Sequence, residues 1–195
     1  MKILISVILL LTLGLGQGFA SDDVPHYKIY PRTPIIEYQD EILDFYSVKN
    51  IYGEFSNFAL FPINVEGLIW PSSEHYYQAH KFLDHDLQER VRVAASPFLA
   101  AQIGRDASLP MREDWDDIKD GVMLVALHAK YSQYPVLKDL LRSTGKSHLY
   151  EHTQNDCYWA DCGDHSGRNM LGQQLMQIRE ETKETTRSEI LLNDQ

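Results

Sequence analysis

The segment that decides the fold of this chain reads Trp70-Pro71-Ser72-Ser73-Glu74-His75-Tyr76-Tyr77-Gln78-Ala79-His80-Lys81-Phe82. Its proline ends the preceding element, and the serine that follows has the side chain of a helix N-cap, so the segment predicts a helix over 72–83. Because residues three or four positions apart share a helix face, Glu74, Gln78 and Lys81 then form one polar stripe. A carboxylate, an amide and an amine framed by aromatic residues are more typical of a pocket lining than of a solvated surface.

Short strands and helices flank this segment on both sides. The hydrophobic pattern predicts strands at 42–46 and 148–150, a hairpin from 58–65 and 68–70, and helices over 86–95, 97–105, 112–131, 135–142 and 170–179. Residues 151–169 have the composition of a loop. This order predicts one small, mostly helical α+β domain over residues 42–180, followed by a polar tail at 181–195.

The first twenty residues differ in kind from the rest. Lys2 precedes an uncharged, Leu- and Ile-rich run, and the small residues Gly18 and Ala20 stand where a signal peptidase cleaves. This is the pattern of a secretory signal peptide, and it predicts a periplasmic or secreted protein. The run is shorter than the roughly 20 residues of a membrane span, so no stable span is expected after cleavage, and an uncleaved N-terminal tether is the alternative. Residues 21–41 are predicted to be a linker or extended arm.

Composition narrows the classes of partner. The chain has 195 residues and a formal net charge of −10, which disfavours broad binding to nucleic acid because that needs a basic surface. A local basic pocket for a phosphate group is still compatible with this charge.

The two cysteines, Cys157 and Cys162, allow three interpretations. Export favours a disulfide bond, which needs the intervening loop to double back tightly. Two unpaired thiols near a pocket are the second interpretation. Because His152 and His165 flank the cysteines, a zinc site is conceivable, but the spacing matches no common zinc pattern and no metal is predicted.

Several motifs in a fixed order point to a family. They occupy residues 53–58, 70–82, 104–105, 112–116, 122–131, 155–159 and 169–172. In order and spacing this set resembles the NADAR family, over roughly residues 42–180. The resemblance implies an α+β N-glycosidase that acts on early, phosphorylated intermediates of riboflavin biosynthesis, with relatives that act on ADP-ribose attached to guanine. It implies a small-molecule substrate and no metal or other cofactor.

The chemistry of such a reaction suggests roles for three residues. Cleavage of a C–N glycosidic bond builds positive charge on the sugar, and a carboxylate such as Glu74 can stabilise that charge and activate water. The helix N-terminus is expected to keep Glu74 ionised, and improving the helix dipole is its alternative role. Lys81, if desolvated, can act as a nucleophile or Schiff-base former, can act together with Glu74 as its electrostatic partner, or can simply cover apolar surface. Asp156 is a candidate helper for the water or a ribose hydroxyl.

The remaining candidates are substrate-binding residues. Arg105 and Arg112 are suited to a phosphate, although Arg105 equally suits a helix C-terminus. Trp115 and Trp159 can stack on a base, although Trp115 is also a candidate core residue. The other predicted substrate-binding residues are Asn57, Trp70, Gln78, Asn155, Asp161 and Asn169. Three of them have an alternative role: Asn57 in a turn, Asp161 as a solvated loop residue and Asn169 as a helix cap.

Two departures from the family pattern affect the choice of substrate. Ala160 and Cys162 stand where the family usually has glycines, at positions where positive φ or close backbone approach can be required. Export would also separate the protein from cytosolic riboflavin intermediates, which favours ADP-ribosylated or other N-ribosyl substrates, or delivery into another cell. The alternatives to an enzyme are an exported ADP-ribose- or nucleotide-binding module without turnover and, more weakly, an interaction protein that has lost the pocket.

Overall fold

The computed structural model describes the backbone of residues 41–193 and the side chains up to residue 183. The predicted signal peptide, nearly all of the predicted arm and the end of the predicted polar tail therefore lie outside the described residues.

Short strands and helices alternate along the described chain. Their order is β1 (Ile42–Phe45), a 3-10 turn (Gly53–Phe55), β2 (Ile63–Val65), β3 (Leu68–Trp70), α1 (Ser73–Ala79), α2 (His85–Arg92), α3 (Pro97–Gly104), α4 (Trp115–Gln133), α5 (Pro135–Ser143), β4 (His148–Glu151) and α6 (Met170–Asn193). This confirms the prediction of a small, mostly helical α+β domain with a few short strands.

The four strands form two separate pairs. β1 and β4 are parallel, with Ile42 opposite His148, although they are far apart in the sequence. β2 and β3 form an antiparallel hairpin. Glu66 and Gly67, at its turn, both have positive φ, as the favoured two-residue hairpin turns require.

Helix α1 begins where the sequence predicts and ends earlier. The Ser72 hydroxyl accepts a hydrogen bond from the His75 amide, which caps the helix as predicted. The helix ends at Ala79, so the prediction of a helix reaching residue 83 is wrong. Tertiary contacts explain the difference: Phe82 is buried in the core, and the Lys81 carbonyl accepts a hydrogen bond from the Arg112 amide, 2.8 Å away.

The other helices match their predicted positions to within three residues, except at the C-terminal end of α6. α4 begins at Trp115 rather than at residue 112. α6 continues to Asn193, well beyond residue 179. Pairs one helical turn apart support this extension, including Lys183 with Glu180 at 2.8 Å. Within residues 41–193, no helix combines the length and apolar character that a bilayer crossing requires.

Helix α1 lies between two clusters of buried apolar residues. Tyr77 belongs to the larger cluster with Phe55, Trp115 and Leu171, whereas Tyr76 and Ala79 belong to the smaller one, which contains Ile63, Trp70 and Phe82. Every residue of α1 is buried. A polar side chain on this helix is therefore enclosed by protein whichever way it points, and this places Glu74 and Gln78 in the interior.

Candidate active site

A cavity of about 720 Å³ opens beside α1. Its walls come from the chain after β1, the turn after the 3-10 segment, α1, α3, α4, and the end of β4 with the loop that follows. The residues that line it are Tyr46, Ser47, Val48, Ser56, Asn57, Phe58, Glu74, Tyr77, Gln78, Phe98, Arg105, Met123, Glu151, Thr153, Asn155, Asp156 and Trp159. Seven of the thirteen predicted site residues are among them: Asn57, Glu74, Gln78, Arg105, Asn155, Asp156 and Trp159.

Two neutral amides hold the Glu74 carboxylate at the cavity wall. Asn57 Nδ2 donates a hydrogen bond to Oε2, and Gln78 Nε2 donates to Oε1 at 2.7 Å. The Glu74 amide in turn donates to the Asn57 carbonyl at 3.1 Å. Gly104 leaves the space that Gln78 needs, because a Cβ at that position would lie 2.0 Å from Gln78 Oε1. The sequence spacing of Glu74 and Gln78 thus produces the predicted stripe, and Asn57 completes it from another element.

Burial decides the protonation of Glu74. Removal from water raises its pKa from 4.5 to about 7, although the Gln78 hydrogen bond, the charges of Arg105 and Lys81 and the Asn57 hydrogen bond all lower it. The expectation that the helix N-terminus keeps Glu74 ionised is therefore wrong. α1 has only seven residues, and the field of one short helix does not offset the loss of solvation. A carboxyl group with this pKa can both accept and donate protons near neutrality.

A second buried acid, Glu151, faces the same cavity and is absent from the sequence prediction. It is the last residue of β4, and its backbone amide donates a hydrogen bond to Asn169 Oδ1 at 3.0 Å. Burial, with smaller contributions from the negative charges of Asp156, Glu74 and Asp161, raises the pKa of Glu151 to about 8. One feature of the sequence could have identified Glu151: it directly follows a predicted strand and borders a loop rich in polar and aromatic residues.

Asp156 organises the loop that forms one wall of the cavity. Its Oδ1 accepts hydrogen bonds from the amides of Tyr158 and Trp159, at 2.7 and 2.8 Å. The Trp159 indole donates to the Tyr77 hydroxyl at 3.1 Å. The loop aspartate therefore helps to position the tryptophan at the wall.

Arg105 and Phe98 bring a cation and an apolar ring to the cavity from either end of α3. Arg105 is the residue at the C-terminal end of that helix, and its charge interacts with Glu74. Phe98 lies in the first turn and is 61 % exposed although it lines the cavity. An exposed cation and aromatic rings at the cavity wall suit a ligand that carries both an anionic group and a flat ring.

Lys81 lies beside the cavity but does not line it. Its Nζ donates a hydrogen bond to the Gly104 carbonyl at 3.0 Å and lies over the rings of Tyr77 and Trp115. Burial lowers the pKa of Lys81, and the charge of Glu74 opposes that shift. The helix ends before Lys81, so the predicted stripe includes only its first two members.

Three further predicted residues lie away from the cavity. Trp70 packs in the smaller core cluster, with its ring against Tyr76. Trp115 packs in the larger cluster. Arg112 forms an ion pair with Asp114 at 2.6 Å on the surface. The position of Trp115 agrees with its alternative role as a core residue.

Asp161 and Asn169 lie behind the cavity wall and support it. Asn169 precedes α6 but does not cap it with its side chain: the amide Nδ2 donates to the Leu149 carbonyl at 2.8 Å and Oδ1 accepts from Glu151, so the side chain fixes the end of β4. Asp161 Oδ1 accepts hydrogen bonds from the Thr153 and Gly163 amides. Neither residue lines the cavity.

A disulfide bond between Cys157 and Cys162 closes the wall loop, with the two Cα atoms 4.4 Å apart. The disulfide bond is therefore the correct one of the three interpretations that the sequence allowed, and no free thiol is present among the described residues. Cys162 has a φ of 64°, so the conformation that a glycine would favour is present at this departure from the family pattern. Ala160, the other departure, is fully buried and has no positive φ.

Fold and site together define a class: a small α+β domain in which two buried carboxyl groups with raised pKa values face one cavity, as in hydrolases that use acid–base catalysis. The chain belongs to the NADAR family, whose domain matches residues 44–183.

Relatives within this family are similar over most of the domain. N-glycosidase YbiA of Escherichia coli is 50% identical over 143 residues, which cover 73% of this chain and 89% of that protein. Riboflavin biosynthesis protein VVA0006 of Vibrio vulnificus is 43% identical over 140 residues, which cover 72% of this chain and 38% of that longer protein. The NMR structure of E. coli YbiA superposes with a TM-score of 0.73 at 47% identity, and covers 80% of this chain and 94% of that one.

Proposed function

We propose that this protein is an N-glycosidase that hydrolyses the bond between a ribosyl carbon and a nitrogen in small phosphorylated compounds. The observation that carries the proposal is the Glu74 carboxyl group, which is buried at the cavity wall, held by two amides and has a pKa of about 7. The names of the relatives support the reaction class, since YbiA is an N-glycosidase.

Two buried carboxyl groups, both with raised pKa values, suit the two proton transfers of this reaction. Hydrolysis breaks the bond from the sugar C1′ to the leaving nitrogen and forms a bond from C1′ to a water oxygen. Glu74, whose carboxylate accepts hydrogen bonds from two side-chain amides, is placed to carry the negative charge: it stabilises the developing positive charge and takes the proton of the water. Glu151, whose pKa is about 8, carries a proton at neutral pH and supplies it to the leaving nitrogen.

The other cavity residues suit a ribosyl phosphate. Arg105 is the cation that lines the cavity and is placed to bind a phosphate group. Trp159 and Phe98 offer aromatic surface to the base, and Asn155 offers an amide to the ribose or the base. We propose that the substrate is either an early riboflavin intermediate, which the name of VVA0006 supports, or an ADP-ribosyl compound.

A panel of N-ribosyl phosphates tests this function. The purified protein is incubated with riboflavin precursors and ADP-ribosylated guanine nucleotides, and the products are identified by mass spectrometry. We expect release of the free base or amine, and a loss of about 10²–10⁴-fold in turnover in Glu74→Gln. Glu113→Gln, at an exposed position, is the matched control and should keep full activity. Equal turnover in Glu74→Gln and the control would contradict the mechanism.

Lys81 is proposed as an electrostatic partner of Glu74 rather than a nucleophile, because its ammonium group is bonded to the Gly104 carbonyl. Borohydride treatment during turnover should therefore trap no sugar adduct, and Lys81→Ala should reduce activity less than Glu74→Gln does. A trapped adduct on Lys81 would reverse this assignment. Tight binding of ADP-ribose with no product from any compound would instead support a binding module.

We also propose that the protein is exported through residues 1–20. Cell fractionation with intact-mass measurement tests this point: the exported fraction should contain a chain that begins at Ser21. Full-length protein in the membrane fraction would indicate a tether, and full-length protein in the cytosol would contradict export.

A further inference from the structure

Four potential metal ligands lie close together outside the cavity, next to its wall loop. Asp44 belongs to β1, His152 directly follows β4, and Asp161 and His165 belong to the loop. One ligand atom from each lies within 4.8 Å of the others. None of the four lines the cavity. We propose that these side chains form a binding site for a divalent transition-metal ion of the Zn²⁺ class, separate from the site of hydrolysis.

The spacing of the ligand atoms is close to that of a tetrahedral site. Bonds of about 2.0–2.1 Å place the ligands of a tetrahedral Zn²⁺ about 3.4 Å apart. His165 Nε2 lies 3.4 Å from Asp161 Oδ2 and 3.0 Å from Asp44 Oδ1. His152 Nδ1 lies 2.7 Å from Asp161 Oδ2 and 4.0 Å from Asp44 Oδ2. Small rotations of the three partly exposed side chains bring the set to the required distances.

The ligand types select the ion. Two imidazoles suit Zn²⁺ and its neighbours among the transition metals, whereas Ca²⁺ and Mg²⁺ prefer oxygen ligands alone. The two carboxylates also balance the charge of a divalent cation. The cysteines between these two histidines are bonded to each other and take no part.

Hydrogen bonds orient the Asp161 side chain before any ion binds. Asp161 divides its two oxygens: Oδ1 accepts from the Thr153 and Gly163 amides, at 3.2 and 2.8 Å, while Oδ2 faces both imidazoles. Such outer hydrogen bonds orient a ligand for its metal. His165 has a φ of 63°, a backbone conformation that costs energy in a non-glycine residue and that tends to occur where function requires it.

An ion at this site would join β1 to the loop that carries Asn155, Asp156 and Trp159. The loop would then be held at three points: by the disulfide, by the Asn169 side chain and by the metal. The structural consequence is a stiffer cavity wall, and it does not depend on the reaction that the cavity performs.

Metal titration of the full chain, purified without a polyhistidine tag and stripped with a chelator, tests the site. Calorimetry with ZnCl₂ should give one ion per chain, and Zn²⁺ in excess should raise the melting temperature by about 3 °C or more. Co²⁺ should produce the visible absorption of a tetrahedral ion. These readouts are independent of turnover.

Single variants locate the bound ion. His165→Ala and Asp44→Ala should each weaken Zn²⁺ binding at least about tenfold, because each removes one ligand near the surface. His128→Ala is the matched control, a partly exposed histidine beside Glu181 on another part of the domain, and should bind as the parent does. Absence of one-to-one binding, or equal affinity in His165→Ala and His128→Ala, would overturn the proposal.

Discussion

Glu74 and Asp161 are both buried acids, 2% and 0% exposed, yet their pKa values move in opposite directions. Burial raises the pKa of Glu74 to about 7, and its two hydrogen-bond donors are uncharged amides. Burial also raises the pKa of Asp161, but the His152 hydrogen bond, the Gly163 and Thr153 amides and the charge of His152 outweigh it and leave a net decrease.

The comparison shows that burial sets the cost of a charge and that the partners decide whether the charge is kept. Asp161 is near the surface and has an imidazole and two backbone amides as donors, so it remains an anion and organises the loop. Within residues 41–183, Glu74 has no cationic hydrogen-bond partner, and its raised pKa suits proton exchange near neutral pH. One acid has a structural environment, and the other has the environment of an acid–base group.

The largest effect on stability should come from Asp161→Ala. It leaves the Thr153 and Gly163 amides without their acceptor and removes the partner of His152, so we expect a loss of about 3–5 kcal/mol in the free energy of unfolding at neutral pH. Urea denaturation measures it. Asp164→Ala, an exposed loop aspartate that accepts from the Ser166 amide, is the control and should cost much less. Equal losses in the two variants would show that Asp161 is not the anchor of this loop.

Glu74→Gln should change the free energy of unfolding in the opposite direction, toward greater stability, and by a smaller amount. The folded-state pKa of Glu74 lies above its unfolded value of 4.5, so the parent protein loses stability as the pH rises from about 4.5 to 7. A shift of this size corresponds to about 3 kcal/mol, and the glutamine variant should be more stable than the parent by about 2–3 kcal/mol at about pH 8.

The new amide has an acceptor within reach, because Gln78 Oε1 has no hydrogen-bond partner and the Gln78 amide can turn to accept. Urea denaturation at about pH 4.5 and 8 gives the comparison. If the advantage of the variant is the same at both values, the pKa of Glu74 is not raised in the folded protein.

The smallest of these effects should appear in Gln78→Leu. Its hydrogen bond lowers the pKa of Glu74, so its removal should raise that pKa further. If Glu74 is the base, the rising limb of the pH–rate profile should move to higher pH by about one unit. Gln173→Leu, on the exposed face of α6, is the control and should leave the limb in place. A limb that stays or moves to lower pH in Gln78→Leu would assign the limb to another group.

Local signals predicted three features of the chain near the site. The Ser72 cap, the turn at Glu66 and Gly67, and the proline that begins α3 all act within a few residues of themselves, and the structure contains each of them. The contact between Glu74 and Gln78 follows from helical spacing alone. These features need no knowledge of the rest of the chain.

The features that the sequence did not predict depend on long-range packing. α1 ends early because Phe82 enters the core, and this moves Lys81 out of the predicted stripe. Glu151 faces the cavity because β4 pairs with β1, which no local pattern reveals. The four clustered ligands likewise come from positions as distant as Asp44 and His165, so no spacing rule identifies them.

The pairing of β1 with β4 also sets an order of assembly. The two strands are separated by about a hundred residues that include five of the six helices. During synthesis Glu74 leaves the ribosome long before Glu151, and β1 has no partner strand until the last quarter of the domain follows. The nascent chain therefore carries one of its two acids without the other, and the cavity closes only after β4 has been synthesised.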